Sequence, residues 1–456
     1  MGEHGRRADA LLLAEGARIY LWMAASLIVA HVVLRAAGAH ELLLVWLAVA
    51  AVFSVVNPAG GLTVVAAIAP FPESVPIVGE AGSKSVLAVV LAASVALRWQ
   101  LDRPIRRPPL PVILAVVLLG ATSLGLLRTL ERWGAEYALG AAHAWFQGVA
   151  TMLLVFVATV WVARRGMLGP LVVTLAATTL AGLLSLIDFW SRGAVRPGLD
   201  WVLAEPFNPT RLAGVVISPT SAAALVMIPA SFYLVATVLA RDVRLRLLSL
   251  ALVVPLLAAA YLTYNRAVLV GLFLTVVIIG WRVRRWLGVG LLVTGLVAAV
   301  VLVPAYMAAR AQVTWGGTAP PAPGEIVLAS DESRFIAWGA AARMALDEPI
   351  IGQGYRAYRQ LAVTFGDPVL TAPHNEWLRL FAEHGVIVGI LGLAFAIAVI
   401  AWMARPPGCL SAGLLAAFVS VCVAASFNNT FLFAQVTIPA FIVAGTGVAR
   451  ASLRPS

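Results

Sequence analysis

Residues 385–404 read GVIVGILGLAFAIAVIAWMA, twenty consecutive residues without a charged side chain. A helix of that length is about 30 Å long, which matches the hydrocarbon thickness of a bilayer. The stretch forms the centre of a predicted membrane span near 378–402. Because it is apolar on every helical face, it indicates a helix surrounded by lipid or by other apolar helices.

Comparable stretches recur along the whole chain and predict an all-α, polytopic transmembrane helical bundle of 12–14 spans. The third stretch is short and ends at Pro70–Phe71–Pro72, so a re-entrant segment is the alternative there. The predicted spans lie near 18–37, 41–57, 61–71, 85–99, 110–127, 143–163, 168–188, 215–239, 247–264, 267–281, 286–304, 378–402, 409–427 and 431–448.

The composition supports a membrane protein. Hydrophobic residues make up 61% of the chain and charged residues 12%, whereas soluble proteins carry roughly 25% charged residues. The net charge is +11, and Lys84 is the only lysine. The arginines lie singly or in small clusters between apolar stretches, which is typical of loops that orient a membrane protein. Nucleic acid is therefore not an expected partner, and both termini are expected in the cytoplasm.

The predicted spans divide the chain into three regions. Residues 1–304 form an N-terminal region of about eleven spans, and residues 374–456 form a C-terminal region of about three spans. Between them, residues 305–373 form one large loop on the outer face. This loop is predicted to carry amphipathic helices, one of them capped by Asp331 or Ser333 and lying over the membrane face as a partial lid. The apolar residues of that helix recur at helical spacing, at Phe335, Ile336, Trp338 and Met344.

Three arginines on the predicted outer face are candidate anion-binding residues: Arg211, Arg266 and Arg334. Arginine binds phosphate groups through paired, charge-assisted hydrogen bonds. Each arginine also has a simpler interpretation. In that interpretation, Arg211 is an ordinary loop charge, Arg266 extends to lipid headgroups, and Arg334 pairs with a neighbouring carboxylate.

His374 is the candidate catalytic residue, because it lies where the large loop re-enters the membrane. With Pro373 as the first helical residue, the helix N-terminus would favour a neutral imidazole, as a general base requires. The alternative is an interfacial histidine that bonds a loop carbonyl. Candidate supporting residues are Asn375, Glu376 and His384. No cluster of His, Asp, Glu or Cys has metal-ligand spacing, so no metal site is predicted.

The segment from Arg334 to Gly389 resembles the O-antigen ligase family, which also includes polysaccharide polymerases. Two further features resemble that family. Asn265–Arg266–Ala267 resembles a Ser-Arg-Gly turn, and Arg211 to Ala224 resembles an Arg-x2-Gly…Pro-Asn…Ala stretch, with Asn265 for Ser and Thr220 for Asn. The segment itself contains Arg334-x3-Trp338, Asp347–Glu348–Pro349–Ile350–Ile351–Gly352–Gln353–Gly354, His374–Asn375-x2-Leu378 and Glu383–His384–Gly385 with Gly389.

The resemblance implies a glycosyltransferase of the C-type membrane fold on the periplasmic face of the bacterial inner membrane. Its donor would be a glycan on a polyprenyl diphosphate, and its acceptor the lipid A–core of lipopolysaccharide. It would need no metal and no cofactor, with Arg211, Arg266 and Arg334 holding the diphosphate and His374 acting as the base. Two alternatives stay open: a polysaccharide polymerase of the same chemistry, and a transporter or flippase of an anionic lipid-linked substrate.

Overall fold

The computed structural model describes residues 22–72, 76–78, 81–101, 108–199, 202–204, 207, 209, 211–216, 218–297, 332–368 and 372–453. The helices are α1 (Trp22–Ala36), α2 (His40–Val56), α3 (Pro58–Ile68), α4 (Ser83–Leu101), α5 (Leu110–Trp145), α6 (Thr151–Arg164), α7 (Gly169–Trp190), α8 (Arg196–Leu199), α9 (Pro219–Leu239), α10 (Val243–Leu262), α11 (Arg266–Val283), α12 (Arg285–Val297), α13 (Glu332–Asp347), α14 (Ala357–Leu361), α15 (Glu376–Ala404), α16 (Cys409–Phe427) and α17 (Ala434–Ser452). A π-helix, Phe146–Ala150, joins α5 to α6, a 3-10 turn covers Thr430–Leu432, and two short antiparallel strands, β1 (Pro76–Val78) and β2 (Ala81–Gly82), pair with each other.

The predicted all-α membrane fold is confirmed, since a helix coincides with each predicted span. Within the described residues, eight helical segments are long and apolar enough to cross a membrane, counting Leu110–Arg164 as one. The apolar helices α1, α2, α3 and α12 are shorter. The number of spans, 12–14, therefore stays a prediction, as do the region boundaries at 304 and 305, which lie outside the described residues.

Leu110–Arg164 is a helical hairpin that accounts for two predicted spans. Gly134 has φ 79° and ψ 178°, values that a helix cannot accommodate. The two arms then face each other, because Trp145 Nε1 donates a hydrogen bond of 3.0 Å to Thr122 Oγ1. Glycine at the corner thus folds one long apolar sequence back on itself.

α15 also turns sharply, at Gly385 with φ 81° and ψ 175°. Its short first arm, 376–384, packs against its long second arm, 386–404. A Cβ atom on Gly389 would lie 2.5 Å from Phe381, and one on Gly392 would lie 2.7 Å from Leu380. The glycines of the second arm therefore allow the large side chains of the first arm to approach its backbone.

Small and hydroxylated residues hold α9, α11 and α16 together. Ser231 Oγ lies 2.8 Å from Ser420 Oγ, and Thr275 Oγ1 donates to Ser231 Oγ at 3.1 Å. Such interhelical hydrogen bonds contribute roughly 0.6 kcal/mol each in a membrane. Gly271 allows the close approach, because a Cβ atom there would lie 3.3 Å from Ser420 Cβ.

These contacts also align the helix ends. α11 and α16 run antiparallel, because Gly271 lies at Ser420 while Ile279 clusters with Ala412 and Ala416. α9 runs parallel to α11. The N-termini of α9 and α11 and the C-terminus of α16 consequently lie at one end of the bundle, called here the Arg266 end.

The helix predicted in the large loop is α13, but its buried face differs from the prediction. Met344 is buried as expected, whereas Phe335 is 66% exposed. Ala337, Ala340 and Ala341 form the rest of the buried face and pack with α14 and the first arm of α15. Alanines allow these short helices to pack closely, and Phe335 lies outside the contact.

Candidate functional site

His374 lies just before α15 in a strained backbone conformation. Its φ is 51°, one of four positive values among the non-glycine residues that the structure describes. Such values cost roughly 1–3 kcal/mol and cluster at functional sites. The helix begins at Glu376, with Asn375 as its N-cap, so the prediction of Pro373 as the first helical residue is wrong.

The side chain of Asn375 explains this start. Its Oδ1 accepts the backbone N–H groups of Trp377 and Leu378, both at 3.1 Å. Asparagine is a strong N-cap, and the left-handed His374 before it excludes an earlier helical turn. Asn375 thus supports His374 through the backbone.

Residues from three segments surround the His374 imidazole. Asn429 Nδ2 lies 3.5 Å from Nδ1, and Arg334 Nη2 lies 3.5 Å from Asn428 Oδ1. Burial and the neighbouring Arg334 lower the pKa of His374 to about 4. The imidazole is therefore neutral near pH 7, with burial as the main cause and Arg334 as the second.

The orientation of the Asn429 amide decides which imidazole nitrogen can accept a proton. Asn429 Oδ1 is buried without a hydrogen bond to any described residue. Oxygen and nitrogen of an amide are interchangeable in shape, and the hydrogen-bond network assigns them. With Oδ1 towards His374, that oxygen accepts a hydrogen bond from Nδ1–H, and Nε2 keeps its lone pair free.

Asp367 and Tyr358 form a buried polar pair near His374. The Tyr358 hydroxyl donates to Asp367 Oδ2 at 2.5 Å, and both residues are almost fully buried. Burial and this carboxylate raise the pKa of Tyr358. Asp367 also acts on His374, where it opposes part of the lowering of the pKa. The loop segment around α14 thus contributes a buried carboxyl group to the site.

Glu376 ties the start of α15 to the turn that carries Asn429. Its Oε1 accepts the backbone N–H of Phe431 at 2.8 Å, and its Oε2 pairs with Arg379 Nη2 at 2.6 Å. Trp377 Nε1 reaches Ser426 Oγ at 3.0 Å. Glu376 therefore acts as a positioning residue that holds the Asn429 turn beside His374.

Arg266 and Arg211 meet at one turn at the Arg266 end. Arg266 begins α11, which Asn265 caps by accepting the N–H of Ala267 at 2.9 Å. Asparagine and serine are both good N-cap residues, so Asn265 can take the place of the serine in the Ser-Arg-Gly turn. Arg211 Nε donates to Thr263 O at 2.9 Å. The two arginines, 55 residues apart in sequence, are thereby anchored within three residues of each other on this turn.

The arginine turn and the His374 cluster lie at the same end of the bundle. Gly271, five residues after Arg266, lies at the level of Ser420, nine residues before Asn429. At 1.5 Å per residue, Arg266 and Asn429 differ in height by roughly 6 Å. The structure therefore brings Arg211, Arg266, Arg334 and His374 to the same end of the bundle.

His384, by contrast, lies away from His374. It ends the first arm of α15, eight residues or roughly 12 Å beyond Glu376. Its buried ring packs against Tyr355 at 5.6 Å, and a Cβ atom on Gly125 would lie 2.4 Å from its Nδ1. The contacts are those of a packed side chain at the Gly385 corner.

The 347–354 motif also serves this corner. Gln353 N donates to Ala382 O at 3.0 Å, and Gly354 N donates to Glu383 O at 2.9 Å. Val386 N donates to Pro349 O at 2.7 Å. The glycines of the 347–354 motif and of Glu383–His384–Gly385 thus allow two backbone segments to approach each other. This contact accounts for the presence of both motifs in the sequence.

Sequence reasoning missed Asn428, Asn429 and Asp367. The polar run Asn428–Asn429–Thr430 between two apolar helices was a usable signal, because polar groups at membrane depth are costly. Asp367 gave no such signal in the sequence, because it lies in a loop with other charged residues. Among the described residues, no three His, Cys, Asp or Glu side chains are grouped so that they could hold a metal ion.

Comparison with known families gives one match. Residues 251–391 match the O-antigen ligase family model. The matched region contains Arg266, Arg334 and His374, while Arg211 and Asn429 lie outside it. No curated protein matches the chain. The resemblance read from the motifs is therefore confirmed, and the protein is a polytopic membrane protein with an O-antigen ligase domain in residues 251–391.

Proposed function

We propose that the protein transfers a glycan from a polyprenyl diphosphate to a sugar hydroxyl, with the reaction at the Arg266 end. The observation that carries the proposal is a neutral, half-buried His374 at the same end as an arginine pair. A base and an anion-binding group are the two parts that this transfer needs. The family match supports a glycosyltransferase-like enzyme.

In the proposed reaction, Arg211 and Arg266 bind the diphosphate. The acceptor oxygen bonds to the anomeric carbon of the donor sugar while the bond from that carbon to the diphosphate oxygen breaks. The hydroxyl proton passes to Nε2 of His374, and polyprenyl diphosphate leaves with the bonding electrons. The arginines stabilise the charge that develops on the leaving group.

Arg334 has a different task in this proposal. It lies close enough to His374 to lower its pKa, and its guanidinium approaches Asn428. It therefore keeps the base neutral before the donor arrives. A bound diphosphate would offset its charge, so His374 would become more basic when the donor is in place.

An apolar groove supports a lipid-linked donor. The groove has a volume of about 490 Å³, lies between α1, α3 and α7, and reaches from Val173 past Leu184 to Val202. Two residues beyond Val202, Ala204 N donates to Gly214 O at 2.8 Å, in the loop that carries Arg211. An isoprenoid chain in the groove would place its diphosphate beside Arg211.

Reconstitution tests the proposed function. Purified protein in liposomes, given a synthetic polyprenyl-diphosphate sugar and lipid A–core, should form a glycosylated acceptor. A second lipid-linked glycan as the only productive acceptor would indicate the polymerase. Movement of intact donor across the bilayer without transfer would indicate a flippase and overturn the proposal.

The proposed periplasmic location of the site has its own test. In a Cys409→Ala, Cys422→Ala background, cysteine replaces Leu346, which is 79% exposed on α13, or Arg244, which lies at the opposite end. An impermeant thiol reagent should label the first variant in intact spheroplasts and the second only after lysis. The reverse pattern would place the site in the cytoplasm.

A further inference from the structure

A second pocket lies at the corner of the α5 hairpin, outside the candidate site. It has a volume of about 400 Å³, in the range of small-molecule sites. α5 forms one wall and the segment around α14 forms the other. The lining residues are Trp133, Glu136, Tyr137, Gly140, Ala141, Arg356 and Arg359.

The aromatic wall of this pocket is held in place. The rings of Trp133 and Tyr137 lie 5.6 Å apart at 57°, and the Tyr137 hydroxyl donates to Arg356 O at 2.9 Å. Trp133 also packs on Gly354, where a Cβ atom would lie 3.2 Å from the indole. The pocket thus exists before a ligand enters, which lowers the cost of binding.

The opposite wall carries two arginines. Arg356 has φ 63°, a conformation that arginine adopts only at a cost. Within the described residues, neither Arg356 nor Arg359 forms an ion pair, and Glu136 is the only acidic residue that lines the pocket. The pocket therefore carries a net positive charge beside two aromatic rings.

That combination fits a sugar with an anionic substituent. Aromatic rings pack against the apolar C–H face of a sugar ring, while the Glu136 carboxylate and the Tyr137 hydroxyl oxygen can accept hydrogen bonds from the hydroxyl groups at its edge. Paired arginines recognise phosphate or carboxylate. A bare anion would need no aromatic wall, and a neutral sugar would need no arginines.

The pocket and the candidate site lie on opposite sides of α14. Arg356 and Arg359 face α5, whereas Tyr358 between them turns towards Ala337 and Asp367, next to His374. We propose that this pocket binds an anionic sugar unit of one of the two glycan substrates, away from the reacting hydroxyl. The assignment to a substrate glycan rests on the proposed function, whereas the chemical class follows from the pocket itself.

A binding experiment tests the class of ligand without turnover. Glucose 6-phosphate, glucose and inorganic phosphate are titrated separately into the purified protein in detergent, and saturation-transfer NMR measures binding. Glucose 6-phosphate should bind about tenfold or more tightly than either fragment. Equal binding of phosphate alone, or no binding of the sugar phosphate, would overturn the proposal.

Variants locate the site. Arg359→Gln changes an exposed side chain, and Trp133→Leu removes one ring; each should weaken glucose 6-phosphate binding about tenfold or more. Arg165→Gln is the matched control, since Arg165 stacks on Trp161 at 3.4 Å elsewhere in the bundle. Unchanged binding in both pocket variants, or an equal loss in the control, would reject this pocket.

Two further arms distinguish the sources of the ligand. Phosphatidylglycerol in mixed micelles should not displace glucose 6-phosphate; displacement would mean a lipid-headgroup site and overturn the proposal. In the transfer assay, Arg359→Gln should raise the KM of one glycan substrate and leave kcat within about twofold. The substrate whose KM rises is the one whose glycan binds in the pocket. If neither KM changes, the proposal that the pocket binds a substrate glycan is rejected.

Discussion

The side-chain amide of Asn429 lies 3.5 Å from Nδ1 of His374, although 55 residues separate them in sequence. Asn429 follows α16, and His374 precedes α15. Glu376 holds the two segments together through Phe431 N. The proposed base is thus oriented by a turn that lies outside the region matched by the family model.

Substitution of His374 tests the proposed base. His374→Ala should lower transfer about 10²–10⁴-fold and leave donor binding intact, because the arginines bind the diphosphate. His374→Gln keeps a hydrogen-bonding side chain without a useful base and should be equally inactive. Single-turnover rates with labelled donor measure both; near-normal turnover of the Gln variant would leave His374 as a positioning residue.

The low pKa of His374 predicts the pH dependence of transfer. The base acts in its neutral form, so kcat/KM, which reports the free enzyme, should stay constant down to about pH 5 and fall as the pH drops through about 4. Arg334→Gln removes a positive neighbour, which should raise the pKa towards the ordinary 6.5 and move the acid limb upwards. If the pH profile of kcat/KM does not move in this variant, the proximity of the two charges is contradicted.

Asn429→Leu should lower kcat about tenfold, because Nδ1 loses the partner that keeps Nε2 free. Asn429→Asp keeps an oxygen towards Nδ1 and should retain more activity. Thr430→Val is the control in the same turn, since Thr430 Oγ1 has no hydrogen bond within the described residues. An equal loss in the control and in Asn429→Leu would point to damage of the turn instead.

Arg266→Lys should lower kcat/KM about tenfold to a hundredfold while the protein still inserts, because lysine keeps the charge but lacks the planar fork. Arg211→Lys should behave similarly. Arg282→Lys is the control at the opposite end, where Arg282 donates to Ala404 O at 2.9 Å. Parental activity of the Arg266 variant would exclude bidentate binding of the diphosphate at this position.

Gly385→Ala should destabilise the protein by at least about 2 kcal/mol. Its φ is positive, and a Cβ atom would lie 2.3 Å from Ile350 O. Gly290→Ala on α12 is the matched control, because nothing lies within 4 Å of its Cβ position. Unfolding in SDS–detergent mixtures measures both free energies; equal stability would show that the corner adapts to a side chain.

The sequence alone determined where the helices lie and which family motif the chain carries. Each span is a local property, since the length and polarity of one segment decide whether it can be helical in lipid. The motif residues Arg266, Arg334 and His374 could likewise each be identified from the local sequence. The start of α15 was misplaced, because Asn375 and Pro373 both suit a helix start and only the left-handed His374 excludes the earlier one.

Only the tertiary structure decided which residues meet. The Asn429 turn beside His374, the arginine turn at Thr263 and the burial of His384 against Gly125 each depend on how separate segments pack. The physical reason is that these contacts join segments far apart in the chain. The energies of these contacts depend on how closely two backbone segments approach each other, and that distance cannot be predicted from the sequence of either segment alone.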